Sequence, residues 1–266
     1  MQGRIPCPRA LLPRDNAVVT TPILLAIVVA LTVGAGLQRI AGFGLGLVVA
    51  PMLTLLLGPA VGVTVSNAGA IATTLLVLGA MRSDVDWRAF LGLAPLIVAG
   101  SAVGAVVVLH MSPPLLEVLI GSLILLSLAL TLGAGARLHV RGRSAAMSIG
   151  VVAGFVNTTA GVAGSPLTAY AVATRWEQRA FAATLQPILM LANVSALIGK
   201  SLVGAVPGDV GLSWWMWLLA LGAVVVGVLA GGYLSRWVSS PAARRTSITI
   251  ATLGGLVTLL RGLSTL

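Results

Sequence analysis

The chain has 266 residues, of which 58% are hydrophobic and only 8% charged, and its mean hydropathy is +1.07. Water-soluble domains carry about 25% charged residues, so a soluble enzyme or nucleic-acid binder is excluded. The formal net charge of +10 comes from 16 Lys and Arg against 6 Asp and Glu, with Lys200 the single lysine. Here the surplus lies in short loops between apolar runs, the pattern of membrane-orienting loops rather than of a nucleic-acid surface.

The first 16 residues form a leader with Arg4, Arg9, Arg14 and the single cysteine, Cys7. One cysteine makes no internal disulfide and no cysteine metal cluster. His110 and His139 are the only histidines and lack partners at metal spacing, so no metal or cofactor is expected. The run after the leader is long for a signal-peptide core and is read as a retained membrane segment.

Apolar segments follow at roughly 17–37, 40–57, 61–81, 89–110, 114–134, 145–173, 180–203, 213–235 and 246–262. They are too long and too uniformly apolar for soluble strands, so they predict membrane helices. The expected fold is all-α: a polytopic membrane protein of about eight helices plus broken or re-entrant segments.

Two runs read as broken. Gln38-Arg39-Ile40-Ala41-Gly42-Phe43-Gly44 interrupts 17–57, and Asn157 to Pro166 interrupts 145–173. The arginines then set a topology. Loops 82–88, 135–144, 174–179 and 236–245 together hold ten of the 16 basic residues, and the connections near 58–60, 110–112 and 204–212 hold none. The positive-inside rule places the first group in the cytoplasm. The run 145–173 must therefore enter and return as a hairpin. A second hairpin, 17–57, would enter from the opposite face, which leaves the arginine-bearing leader outside, against the same rule.

The order of features repeats along the chain. Pro51 pairs with Pro166, Ser66-Asn67 with Leu185-Gln186, Gly100 and Gly104 with Gly227 and Gly231, and Ser112-Pro113 with Ser240-Pro241. This predicts two inverted repeats, 17–134 and 145–266, joined by a cytoplasmic linker at 135–144.

Broken helices expose unpaired N–H groups and a partial positive charge, which bind anions. The candidate substrate site therefore comprises Gly42, Gly44 and Gly46 at the first break. At the second it comprises Asn157, Thr158, Thr159, Gly161, Gly164 and Ser165. Asn67 and Gln186 lie in matching places on the helices that follow. Arg39 joins them as an intramembrane cation if the first break lies at mid-membrane, and is a loop anchor otherwise. Lys200 is expected to snorkel to headgroups near the outer end of its helix. Thr158, Thr159 and Ser165 have a plainer alternative, hydrogen bonding to their own helix. For Asn67, Gln186 and Asn193 the plainer alternative is interhelical hydrogen bonding. Glu117 reads as structural, and Trp214, Trp215, Trp217 and Trp237 as interfacial anchors.

The two glycine-rich stretches carry a resemblance. They are Gly36-x5-Gly42-x-Gly44-x-Gly46-x4-Pro51 and Gly154-x2-Asn157-x3-Gly161-x2-Gly164-x-Pro166, each at the head of a half. With the helices near Ser66-Asn67 and Gln186-Pro187 they resemble the TauE/SafE sulfite-exporter family, over nearly the whole chain. Gly-Phe-Gly-Leu-Gly and Gly-Val-Ala-Gly stand where that family usually has Gly-Gly-Gly. The resemblance implies a secondary transporter of small sulfur-containing or organic anions, such as sulfite, thiosulfate or sulfonates, in the inner (cytoplasmic) membrane, with no ATPase domain. The partners it implies are a small anionic substrate and the lipid bilayer, and no nucleic acid. Two other classes stay open: a membrane-embedded subunit of a larger complex, and an intramembrane enzyme. The enzyme would need a nucleophile with a base or a metal motif, and only Ser165 offers a start.

Overall fold

A computed structural model describes residues 21–41, 45–133, 143–206 and 214–266. Ten α-helices make up nearly all of it: α1 Thr21–Ala41, α2 Leu45–Leu57, α3 Pro59–Met81, α4 Trp87–His110, α5 Pro113–Gly133, α6 Arg143–Ala160, α7 Gly164–Thr174, α8 Gln178–Leu202, α9 Trp214–Leu234 and α10 Ser240–Ser264. A 3-10 turn, Arg82–Asp84, joins α3 to α4. Seven helices (α1, α3, α4, α5, α8, α9 and α10) are long and apolar enough to cross a membrane. Their outward faces carry exposed Leu and Val, such as Leu25, Val29, Leu91, Val103, Leu229 and Leu253. The chain is thus an all-helical, multi-pass membrane protein.

At 1.5 Å per residue, α2 with 13 residues and α7 with 11 span about 20 Å and 16 Å. Neither crosses the roughly 30 Å hydrocarbon layer. Each is the returning arm of a hairpin. At α2 the chain turns straight into α3, through Gly58 at φ 83° and Pro59 in the first turn. Only glycine takes that φ readily, and proline suits the first turn, which lacks a helical N–H partner.

Contacts fix which ends lie together. Arg179 pairs with Asp84 at 3.0 Å, and the Ser240 hydroxyl donates to the Ile40 carbonyl at 3.1 Å. Loops 82–86 and 174–179 therefore lie together, and the end of α1 lies beside the start of α10; Ala41, Arg175, Ser240 and Arg244 line one cleft, which puts both groups toward one end, here the basic end. At the far end Arg261 donates to the Leu55 carbonyl at 2.9 Å and lies 3.7 Å from Glu117. Ala60, Met111, Leu116 and Ala205 pack into one apolar cluster there.

Small residues set the helix packing. An added Cβ at Gly100 would run into the Val151 carbonyl, and one at Gly104 would lie 3.1 Å from the Phe155 carbonyl oxygen. On the other side, an added Cβ at Gly227 would run into the Thr32 carbonyl and one at Gly231 into that of Gly36. The pairs α4–α6 and α9–α1 are thus backbone-to-backbone contacts of one type, as small residues permit in membranes. The register also shows direction. α6 climbs beside α4 from the basic end, and α1 descends beside α9 toward it. The hairpins α1–α2 and α6–α7 insert from opposite ends and meet.

The breaks are narrower than the sequence suggested. α1 remains helical through Gln38, Arg39, Ile40 and Ala41, and α2 begins at Leu45; Gly42 and Gly44 lie outside the described residues. α6 stays helical through Asn157, Thr158 and Thr159 and stops at Ala160. A polar or glycine-rich sequence does not end a helix whose carbonyls still find their i+4 partners. Pro51 sits in the middle of α2 and Pro166 in the first turn of α7, so these two prolines do not occupy like places, whereas the glycine pairs do.

Candidate site at the meeting of two helix breaks

Each break is bridged by the amide of a residue on its entering helix. Leu45 N–H donates to Gln38 Oε1 at 3.2 Å, and Ala163 N–H donates to Asn157 Oδ1 at 3.4 Å. Both amides satisfy one N–H that the short helix leaves without a carbonyl. Asn157 also donates from Nδ2 to Asn193 Oδ1 at 2.9 Å, and Asn193 donates to the Leu189 carbonyl at 2.7 Å. The second hairpin is thereby tied to α8.

The two breaks touch. An added Cβ at Gly46 would run into the Gly161 carbonyl. Gly161 has φ 74°, and a Cβ there would lie 3.2 Å from Ala50 Cβ, 3.4 Å from Asn67 Oδ1 and 3.8 Å from Ser66 Oγ. Glycine is required twice over, for the left-handed backbone and for the close approach. Around this contact lies a cavity of about 30 Å³, lined by Gln38, Gly46, Thr74, Asn157, Gly161, Ala163, Gly164, Ser165 and Asn193 among others.

The chemistry of this centre is a set of buried polar atoms without hydrogen-bond partners. They are Gln38 Nε2, Ser66 Oγ, both amide atoms of Asn67 and Ser165 Oγ. Buried polar groups are nearly always satisfied, and each exception costs about 1–3 kcal/mol. Five such atoms around one contact of two glycines leave hydrogen-bonding capacity there for a bound polar group. The first turns of α2 and α7 add N–H groups and the positive ends of two helix dipoles. No carboxylate lines the cavity. The donor set therefore suits an anion. The last carbonyls of α1 and α6 carry the opposite polarity at the same breaks, as in transporters that hold a cation beside an anionic substrate.

The candidate residues divide as follows. Gly46, Gly161, Gly164, Ser165 and Asn157 line the cavity, and Asn67 reaches Gly161 beside it. Thr158 and Thr159 show the plainer alternative: their hydroxyls donate to the Gly154 and Phe155 carbonyls of their own helix, at 3.0 and 2.8 Å. Gln186 is buried and is not among the cavity's lining residues; it donates to the Ala182 carbonyl at 3.2 Å and leaves Oε1 unpartnered. Arg39 is exposed at the end of α1, beside Gly231 and Gly232 of α9, and does not enter the site. Lys200 does not snorkel: it is 1% exposed. Gln38 and Asn193 also line the cavity, and Ser66 lies beside Gly161; all three are named from the sequence above, but the candidate substrate site drawn from it does not include them. The signal was present in the spacing, since Gln38 stands 119 residues before Asn157.

A cleft of about 730 Å³ opens toward the basic end, between α7, the start of α8 and the start of α10. Arg175, Arg244 and Arg245 line it. Its inner lining reaches Thr168 and Leu185, each one turn from the cavity residues Gly164 and Leu189. Arg175 closes α7 in the left-handed conformation, φ 54°, with Trp176 N–H donating to the Ala171 carbonyl at 2.9 Å. Glu177 caps α8 by accepting from Arg179 N–H at 2.9 Å and Ala180 N–H at 2.6 Å. Those two backbone donors, Ala180 first, hold its carboxyl below the ordinary 4.5.

A multi-pass helical protein whose two broken hairpins meet around unpaired polar atoms, with a cleft leading toward them, belongs to the class of membrane transporters. The family model described as Sulfite exporter TauE/SafE matches residues 23–258, and the chain belongs to that family. No curated protein and no solved structure gives a significant match.

Proposed function

We propose that the chain carries small sulfur-containing or organic oxyanions, such as sulfite, thiosulfate or sulfonates, across the inner (cytoplasmic) membrane by alternating access. The observation that carries this reading is the Gly46–Gly161 contact with five unpartnered polar atoms around it. The substrate anion accepts from Ser66, Asn67, Ser165 and the first-turn N–H groups of α2 and α7. These hydrogen bonds replace its water shell. Their partial charges need no reorientation when the ion arrives.

In this arrangement the site is closed. A cavity of about 30 Å³ has room for about one water molecule, so an oxyanion enters only as the hairpin tips part. The cleft at the basic end, with Arg175, Arg244 and Arg245, gathers anions on the cytoplasmic side.

Residues 17–134 and 145–266 act as two inverted repeats in this account, joined by the cytoplasmic linker 135–144. Support comes from the paired glycine contacts, and from one asymmetry. On the first hairpin, α2 lies directly on α3, with Gly62 against the Leu53–Thr54 backbone. On the second, α7 and α8 stand apart with the large cleft between α7, α8 and α10. Exchanging these two arrangements closes the cleft at the basic end and opens one at the far end. The energy difference between two packings of like elements is small, which is what a transport cycle needs.

The test is flux. Purified protein in liposomes takes up radiolabelled sulfite or thiosulfate on this account, and uptake falls at least tenfold in Asn67→Ala. A panel of small anions with no flux above protein-free liposomes removes the proposal.

A further inference from the structure

Lys200 is a buried cation that the site above leaves unexplained. It lies in the last turn of α8, toward the far end, and is 1% exposed. Gln186, Asn193 and Lys200 are spaced by seven residues and are all buried. Seven residues are nearly two helical turns, so the three share one face of α8, with about 10 Å between successive members. Asn193 marks the level of the second break through its bond from Asn157. Lys200 therefore lies about 10 Å beyond Asn193, on the way to the far end.

Its Nζ has no hydrogen-bond partner, and among the described residues no carboxylate pairs with it. The elements packed against α8 are α3, α4, α6, α7 and the 3-10 turn. α3 holds no ionisable residue. α4 holds Arg88 at the basic end and an exposed His110 at the far end. α6 starts with Arg143 at the basic end, and α7 offers only Tyr170. The 3-10 turn has Arg82 and Asp84, and Asp84 is engaged by Arg179 at the basic end. Among the described residues the only far-end carboxylate on a helix is Glu117 of α5, which lies 3.7 Å from Arg261. Burying an ammonium group without a partner is costly. In a membrane protein such a residue marks an ion or substrate path.

We propose that Lys200 is an anion-binding residue: its ammonium is the charge partner of the transported oxyanion at a second station between the helix breaks and the far end. The ligand is a small oxyanion of one or two negative charges, and the proposal rests on the transporter reading of the break site. The central site supplies neutral donors and helix ends, whereas Lys200 supplies a full charge. At this station the lysine offsets one negative charge of the ion, which lowers the cost of carrying it through the far half of the protein.

The experiment uses the full chain in detergent and in liposomes, with Lys200→Met and Lys200→Gln beside the wild type. Thermal unfolding is followed against sulfite and thiosulfate concentration, and thiosulfate uptake is measured. Lys200→Met should unfold at higher temperature than the wild type without anion, because the unpaired charge is gone. It should lose about tenfold or more in anion affinity, as removal of one partner of a buried charged pair does, and lose most of its uptake. Lys200→Gln covers the case in which Met does not fold. A variant that binds and transports like the wild type overturns the assignment. So does one that is only less stable, with unchanged anion affinity, since Lys200 is then a packing residue. If the wild type itself neither binds nor moves any anion, the transporter reading falls first and the Lys200 station with it.

Discussion

Replacing Asn157 by Ala removes both links that hold the second break. The Ala163 N–H loses its acceptor, and Asn193 Oδ1 loses its donor. Both are buried, with Asn157 1% and Asn193 2% exposed, so water does not take over. Each orphaned group costs about 1–3 kcal/mol, which puts Asn157→Ala at roughly 2–6 kcal/mol. The 3.4 Å bond to Ala163 is long, which favours the lower half of that range. Asn193→Ala strands only Asn157 Nδ2 at this junction. The double variant strands no side-chain partner there and should cost less than the sum of the singles, by about 1 kcal/mol or more. Denaturant unfolding in detergent measures all three. Anion affinity should fall together with stability in Asn157→Ala, because the α7 N-terminus is no longer held at the crossing. Additive single and double variants, or an Asn157→Ala protein of wild-type stability, would refute the reasoning that this amide organises the break.

Three further outcomes follow from the same geometry. Gly161→Ala forces a side chain into a φ of 74°, at about 1–2 kcal/mol, and toward Ala50 and Asn67; unfolding temperature and thiosulfate uptake should both drop, and Gly46→Ala should drop uptake too because its Cβ collides with the Gly161 carbonyl. Arg175→Gly should raise the unfolding temperature, since glycine accepts the φ of 54° that arginine holds under strain, while weakening anion capture from the cleft; a stabilised variant with unchanged half-saturation would remove Arg175 from the entry path. Glu177→Gln should lower stability at neutral pH. The carboxyl is held below 4.5 in the folded chain, so its contribution is present above about that pH and fades as the pH falls through the folded value. The gap between wild type and variant should close in acid, and a gap independent of pH would contradict the capping role.

Much of this fold was legible from composition and loop charge. Apolar runs of membrane length gave the helices, and the arginine count placed loops 82–88, 174–179 and 236–245 at one end, where the Arg179–Asp84 pair joins the first two and the cleft lined by Arg175, Arg244 and Arg245 brings in the third. The limits of the breaks were not legible, because Gln38 to Ala41 and Asn157 to Thr159 look like interruptions in a hydropathy pattern yet keep their helical hydrogen bonds. The same ambiguity hid the roles of side chains. A threonine in an apolar helix reads alike whether it faces a site or bonds its own backbone, as Thr158 and Thr159 do. Lys200 shows the reverse case. A lysine near a helix end suggests a route to the headgroups, and only the packing of α3, α4 and α6 around α8 decides that the route is closed. The meeting of Gly46 with Gly161 is a tertiary fact, set by helix crossings between residues 115 apart, and no local signal announces it.

The central claim is that the crossing of the two breaks binds the transported anion. The most direct measurement is a structure of the full chain determined with selenite, a heavier analogue of sulfite whose selenium is located by anomalous scattering. The account predicts a selenium peak between the first turns of α2 and α7, with oxygens in hydrogen-bond reach of Ser66, Asn67 and Ser165. A transport-active protein whose anion lies elsewhere, with the Gly46–Gly161 contact still closed and those polar atoms still unpartnered, would contradict it.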